Sequence, residues 1–518
     1  MRHRVATTAL ALIAVTAATA TTAAGAAART SAAVAPAPAT LEGAWVFDDA
    51  PANPGVTMME LDRTAGGLSG RVTTRWYGPI EMIAPTISGN RLSFATRNIN
   101  DRANPVRQWT ATLGPRGLTL DGTIWESHVV QTGRRGTAAE RRARTFRFAP
   151  LPPLATLAPD GLAATPPMGW SSWNSFADRI DDKAVRAMAD AMVSTGLRDA
   201  GYRYVNIDDG WQGTRDAAGA LHANAKFPDM KGLADYVHAR GLKFGLYSSP
   251  GPRTCAGYEG SYGHVAQDAR TFAGWGVDYL KYDLCSGEWF YADADTVKRS
   301  YAEMGAALRA TGRAIVYSLC EYGRFDVAAW GRSVGGHLWR TTGDITDSYK
   351  TMAEIGFDRN PKFGHAGPGG WNDPDMLELG NGGMSLDEYT THMTLWAMSA
   401  APLMMGHDLR RMDAATRRLL ENPGVIAIDQ DPAGVQGRAV RSEGEAAIWS
   451  KRLADGTVAV ALFNRATTPA TIDLRPSDAG LATITTLQDV WSARTIPESR
   501  TRFAIPGHGA VLLRVRGR

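Results

Sequence analysis

Two aspartates close two short apolar runs that lie 61 positions apart. The first run is Val277-Asp278-Tyr279-Leu280-Lys281-Tyr282-Asp283, and the second is His337-Leu338-Trp339-Arg340-Thr341-Thr342-Gly343-Asp344. Each run reads as a buried strand with a cation, Lys281 or Arg340, just ahead of its carboxylate. On a strand, Lys281 and Asp283 share a face. The ammonium then favours the ionised carboxylate that a nucleophile needs. A proton donor must instead keep its proton, which takes desolvation or a nearby negative charge. Asp344, facing Asp283 across a pocket, would supply and feel that charge. Arg340 reads as better placed to bind substrate hydroxyls than to neutralise Asp344. Such a carboxylate pair is what glycoside hydrolysis requires, one as nucleophile and one as acid.

Further polar residues gather at the ends of other strand-like runs. Trp173 follows the first, Asp208 and Asp209 end the second, and Tyr247 lies in the third. Glu321 follows the fifth, and Asp375 sits in Trp371-Asn372-Asp373-Pro374-Asp375 beyond the seventh. A lone terminal Asp is usually a helix cap; carboxylates at five of eight ends point to an active site. Asp208 and Asp209 suit sugar hydroxyls as acceptors, and Trp173 suits a stacking wall.

Eight runs must position these groups: 168–173, 202–208, 243–248, 279–283, 314–320, 338–342, 363–367 and 401–405. Helical patterns separate most of them. Val185, Met188, Ala189 and Met192 recur at i, i+3, i+4 and i+7, as do Met230, Leu233, Ala234 and Val237. The fold class is therefore α/β, with a (β/α)8 TIM barrel over residues 160–424. A doubly wound sheet would want a Gly-rich phosphate loop after its first strand, and the sequence has none there. Residues 41–150 show short alternating runs broken by Gly and Asn, which predicts an N-terminal all-β domain. Its Trp45, Trp76, Trp109 and Trp125 could form a sugar-binding face or simply pack. Pro150 to Pro159 reads as a hinge. Residues 425–518 predict a C-terminal antiparallel β-sandwich.

Composition narrows the class. The 518 residues carry 56 basic and 52 acidic side chains, a formal charge of +4, which is too even for a nucleic-acid binder. A basic start, an Ala/Thr-rich apolar stretch and Ala24-Gly25-Ala26 predict a secretory signal peptide over residues 1–30. An Ala/Pro-rich linker follows over 31–40. The mature protein is expected to be secreted and free of the membrane. Three cysteines fit export. Cys255 and Cys285 lie near strand ends as plausible disulfide partners, with Cys320 left over.

Rival chemistries find little support. Gly331-Arg332-Ser333-Val334-Gly335 matches a nucleophile elbow by letter, but it precedes a strand instead of following one. No CxxC or HExxH occurs and the ten His are scattered, so no metal is expected. Asp293 and Asp295 hint at calcium without the Gly and distal Glu of a calcium loop. No organic cofactor is called for, because carboxylates can do the covalent and proton work.

Six stretches together resemble glycoside hydrolase family 27, the α-galactosidase (melibiase) group of clan D. They are Pro167-Met168-Gly169-Trp170-Ser171-Ser172-Trp173-Asn174, Asn206-Ile207-Asp208-Asp209-Gly210-Trp211, Thr254-Cys255-Ala256-Gly257-Tyr258, and the runs ending in Asp283, Ile345 and Leu377. The resemblance runs from about Thr165 to the C-terminus. It implies a retaining double displacement with Asp283 as nucleophile and Asp344 as acid/base, which needs the two carboxyls ~5–5.5 Å apart. It implies Asp208, Asp209 and Lys281 on the 4- and 6-hydroxyl side of galactose, with Glu321 and Arg340 on the 2-hydroxyl side. Trp173 and Tyr247 would form walls, Asp375 would close the site, and Cys255, bonded to Cys285, would border it. Cys320-Glu321-Tyr322 departs from the Cys-Glu-Trp of many members. The expected substrate is an oligosaccharide or polysaccharide with terminal α-galactose. The alternatives are a β-L-arabinopyranoside, an isomaltose-type glucan, or a non-catalytic sugar-binding protein.

Overall fold

A computed structural model describes residues 40–48, 55–74, 78–97, 106–124, 127–144, 149–289, 291, 293–362 and 364–518. The expected signal peptide and all but the last residue of the linker lie outside these residues, as do Trp76 and Trp125.

Eight parallel strands form the central sheet. In chain order they are Met168–Ser171, Tyr204–Asn206, Lys243–Ser248, Tyr279–Asp283, Val316–Cys320, Leu338–Arg340, Trp371–Asp373 and Leu403–Met405. Each of the first six pairs with its successor, and the eighth returns to pair with the first. Leu377, just past the seventh, bridges Met405 in parallel and donates its N–H to the Met404 carbonyl at 2.7 Å. That contact closes the ring and makes it a barrel. Inside lies a cavity of only ≈ 30 Å³, so the interior is a packed plug and not a pore.

The periodicity read from sequence is the buried face of the outer helices. Val185, Met188, Ala189 and Met192 are buried on helix Asp182–Ser194, and Met230, Leu233, Ala234 and Val237 on Met230–His238. Aspartates start these helices: Asp181, Asp229 and Asp293 accept from backbone amides three residues on. Asp293 is thus a cap on helix Ala294–Ala310, which accounts for the acidic cluster that hinted at calcium. Gly331–Val334 is a single 3-10 turn before the sixth strand, with the Ser333 hydroxyl spent on the Trp330 carbonyl.

One strand differs from expectation. The seventh is Trp371–Asp373 and not the expected 363–367, whose first residue lies outside the described ones; among the described residues of that span, Gly367 alone pairs, in an isolated bridge to Gly370. Gly-Pro-Gly-Gly turns the chain there, and the true strand has two polar residues among its three, so its apolar signal is weak.

Before the barrel, nine antiparallel strands between Gly43 and Arg135 form one sheet. Trp45 and Trp109 are 3% and 2% exposed and pack in its core, so neither is part of a sugar-binding face. Gly122 lies opposite Trp109, where a Cβ would stand 2.1 Å from the indole. The Pro-rich segment that follows is tied down. Arg299 donates to the carbonyls of Leu151 and Pro152, and His337 pairs with Asp160 at 2.9 Å. After the barrel come a six-stranded and a two-stranded antiparallel sheet over a shared apolar core. Phe463 of the larger sheet meets Phe357 edge-on at 5.0 Å, which joins that region to the barrel core.

Candidate active site

Strand register assembles the site at the C-terminal mouth of the barrel. Tyr247 pairs with Lys281 across the third and fourth strands, Asp283 with Cys320 across the fourth and fifth, and Arg340 with Asp373 across the sixth and seventh. Trp173, Asp208, Asp209, Tyr247, Cys255, Lys281, Asp283, Arg340, Asp344 and Asp375 all line one cavity of ≈ 110 Å³. Glu321 does not. It is fully buried, its Oε1 accepts from the Gly323 amide at 2.9 Å, and its neighbour Tyr322 occupies the wall.

One side of the cavity is a charge cluster. Lys281 Nζ donates to Asp208 Oδ2 at 2.9 Å and lies 5.3 Å above the Tyr247 ring. Burial alone would lower its pKa, but Asp208 and the other carboxylates around it keep it well above the ordinary lysine value. Lys281 is therefore a fixed cation of the pocket, not a surface lysine. Asp209 is partly committed to structure. Its oxygens accept from the Gly210 and Ala256 amides at 2.8 and 2.7 Å, and burial pushes it up to about 7 despite them.

Opposite, Arg340 overturns the expectation drawn from sequence. Its Nη2 lies 3.0 Å from both Asp344 Oδ1 and Asp375 Oδ2. The strand ends at Arg340, and the chain turns through Thr342-Gly343, bringing Asp344 back onto the guanidinium. Asp375, held at φ +82°, also accepts from the Ile345 amide at 2.9 Å and so clamps the loop that carries Asp344.

The proton affinities follow from these contacts, and they reverse the sequence expectation. Burial pushes Asp283 up to about 6, against the Lys281 charge and a hydrogen bond from Tyr322, and the Asp344 charge adds to the rise. For Asp344, desolvation also acts upward. The charges of Arg340 and Lys281 and the Arg340 hydrogen bond outweigh it and hold Asp344 below its ordinary value. Its side chain is 72% exposed, at the open side of the cavity.

Cys255 and Cys285 are joined as a disulfide, and Cys320 is a free, buried thiol. The two bonded sulfurs flank Asp283, so the one Cys/Asp cluster among the described residues that could hold a metal has no thiolate to offer. The bridge spans 30 positions and anchors the loop whose Ala256 amide holds Asp209. Replacing both cysteines by serine is expected to cost roughly 3 kcal/mol, from loop-closure entropy. It should also raise KM, because the Asp209 clamp loosens. Urea unfolding and steady-state kinetics on the double variant check both.

Three features escaped the sequence reading. Tyr322 was visible only as a departure from a motif. Asp373 is raised by burial to about 6 and accepts from the Asp375 amide, setting that residue's strained turn. Glu378 is buried behind the wall and raised to about 7, with Asn174 and Asn381 donating to it. Its place directly after the run ending in Leu377 was the available signal.

The family model for alpha galactosidase A matches residues 165–431, and that for the alpha galactosidase C-terminal beta sandwich domain matches 443–515. An alpha-galactosidase of Cyamopsis tetragonoloba is 50% identical over 345 residues, 65% of this chain and 82% of that one. The solved alpha-galactosidase I of Mortierella vinacea superposes with a TM-score of 0.66 at 33% identity, over 70% of this chain and 99% of the other. A solved Bacteroides fragilis protein reaches 0.65 at 32% identity over 92% of this chain and 98% of its own, more than the barrel and sandwich together occupy.

Proposed function

Since the chain belongs to the alpha-galactosidase A family of glycoside hydrolases, we propose that it is a secreted retaining exo-α-galactosidase in which Asp283 and Asp344 carry the chemistry. The observation that carries this reading is the sharing of one cavity by these two carboxylates and the Lys281–Asp208 and Arg340–Asp375 ion pairs. One carboxylate of the pair is buried between cations, and the other is exposed at the mouth.

In the first step an oxygen of Asp283 attacks the anomeric carbon. The bond from that carbon to the leaving oxygen breaks, and Asp344 gives its proton to that oxygen. In the second step water attacks the same carbon and yields a proton to Asp344. The bond to Asp283 breaks, and its carboxylate returns. Two inversions retain the α configuration. The reactive form holds its proton on Asp344, whereas the empty site prefers it on Asp283. A sugar hydroxyl that engages Arg340 would weaken its hold on Asp344 and move the proton to where it is needed.

Asp208 and Lys281 together offer an acceptor and a donor to adjacent hydroxyls, which suits the axial 4-hydroxyl and the 6-hydroxyl of galactose. Export is supported by the basic, Ala-rich start of the chain and by the disulfide. No helix among the described residues is long and apolar enough to cross a membrane.

The test is a panel of aryl glycosides with the purified protein: α-galactoside, β-L-arabinopyranoside, α-N-acetylgalactosaminide and α-glucoside. The α-galactoside is expected to dominate, with α-galactose as the first-formed anomer by NMR. A dominant rate on another sugar would move the specificity, and first-formed β-galactose would sink the double displacement.

A further inference from the structure

Tyr322 pays an unusual conformational cost to stand where it does. Its φ is +64°, a left-handed value that bulky residues rarely adopt, and Gly323, Phe325 and Asp326 are also positive at +75°, +53° and +53°. Strained backbone of this kind persists only when its surroundings hold it, and it collects at functional sites. Gly323 shows one constraint: a Cβ there would stand 2.1 Å from the Thr341 carbonyl oxygen, so only glycine lets the loop lie against the sixth strand's end.

The turn delivers the Tyr322 hydroxyl to the nucleophile. It donates to Asp283 Oδ1 at 2.5 Å, and it lies 3.0 Å from Cys285 Sγ and 3.6 Å from Cys255 Sγ. The described residues give Asp283 Oδ2 no hydrogen bond. One carboxylate oxygen is therefore held and the other is free to face the sugar.

We propose that Tyr322 is a positioning residue that selects Oδ2 of Asp283 as the attacking oxygen and promotes release of the sugar in the second half-reaction. The inference rests on the reading of Asp283 as nucleophile. A hydrogen bond to a charged carboxylate is stronger than one to a neutral ester oxygen. In the first step Asp283 loses its charge as the bond to Oδ2 forms, so the phenol hydrogen bond weakens and resists attack. In the second step water adds to the anomeric carbon, the bond to Oδ2 breaks, and the electron pair returns to Asp283. The phenol hydrogen bond strengthens along that path and lowers its barrier. Phenylalanine would keep the ring and remove this bias together with the hydrogen bond that lowers the Asp283 pKa, so the two forms are compared well above pH 6.

The experiment compares wild type with Tyr322→Phe on an activated aryl α-galactoside and with a fluorinated α-galactosyl fluoride that traps the covalent intermediate. The variant is expected to lose ~10-fold in kcat and a similar factor in KM, leaving kcat/KM nearly constant. It should show a burst near one product per site and regain activity from the trapped state ~10-fold more slowly. A purely structural role would lower kcat/KM without a burst. Unchanged kcat and reactivation, or a loss confined to kcat/KM, overturns the inference. Replacing Tyr322 by 3-fluorotyrosine keeps the shape and strengthens the donor, so reactivation should speed up; no change there overturns the inference too. Peptide mapping of the trapped label separates the two readings. A label on Asp283 with unaltered variant kinetics sinks the role of Tyr322 alone, whereas a label on another residue sinks the nucleophile assignment and the inference with it.

Discussion

Asp283→Gly is expected to lower hydrolysis of α-galactosides by on the order of 10⁴-fold or more, the scale seen when a covalent nucleophile is removed. The argument is geometric as well as chemical. Asp283 ends the fourth strand between Lys281 and Cys320, and it is buried. Glycine opens a carboxylate-sized space beside a fixed cation, on the sugar face that the carboxylate would have attacked. A small anion can occupy that space. Azide should restore turnover of an activated aryl α-galactoside, and the product should be the β-galactosyl azide, because a single displacement from that face inverts the centre. NMR of the azide product checks this, and the untouched Asp344 leaves leaving-group departure intact. Residual activity above a few per cent without azide, or an α-azide product, would show that another group attacks the sugar.

How much of this was legible in the sequence depends on how local each interaction is. Strand alternation put Lys281 and Asp283 on one face, and the fold honours it. The eight-run count gave a barrel because apolar runs and helical periods alternate over the whole region. The seventh strand was missed because its three residues are Trp371-Asn372-Asp373, and two polar letters in a row look like a loop. Arg340 was misread for a related reason. The strand was taken to run on to Thr342, which would point Arg340 and Asp344 along one extended edge, but it ends at Arg340 and the chain folds back within four residues. Tyr322 showed as a departure from a motif, but its place beside Asp283 lay beyond reach. Alternation past Cys320 says nothing once the backbone enters the left-handed region, and no residue type at 322 announces that turn.

The proton balance was also misjudged, and it governs the second prediction. Lys281 was read as favouring the ionised Asp283, but burial outweighs it, while Arg340 takes Asp344 the other way. Asp344→Asn removes the acid and a negative charge together. Loss of general acid/base assistance is worth ~10²–10⁴-fold. The loss should approach its upper end for alkyl galactosides, whose leaving oxygens need a proton. It should shrink for dinitrophenyl galactosides, which depart as anions and leave the second step limiting. The charge effect sets the pH profile. Asp283 faces Lys281, Arg340, Tyr247, Tyr322, Cys320 and Asp344, and among these Asp344 raises its pKa. Without Asp344, Asp283 should ionise at lower pH, so the acid limb of kcat/KM on the dinitrophenyl substrate moves below about 6. The dinitrophenyl oxygen leaves without a proton, so on this substrate the limb reports the ionisation of Asp283 alone. An acid limb that moves upward instead would overturn the reading that the Asp344 charge raises Asp283. An equal loss on both leaving groups would remove Asp344 from proton transfer altogether.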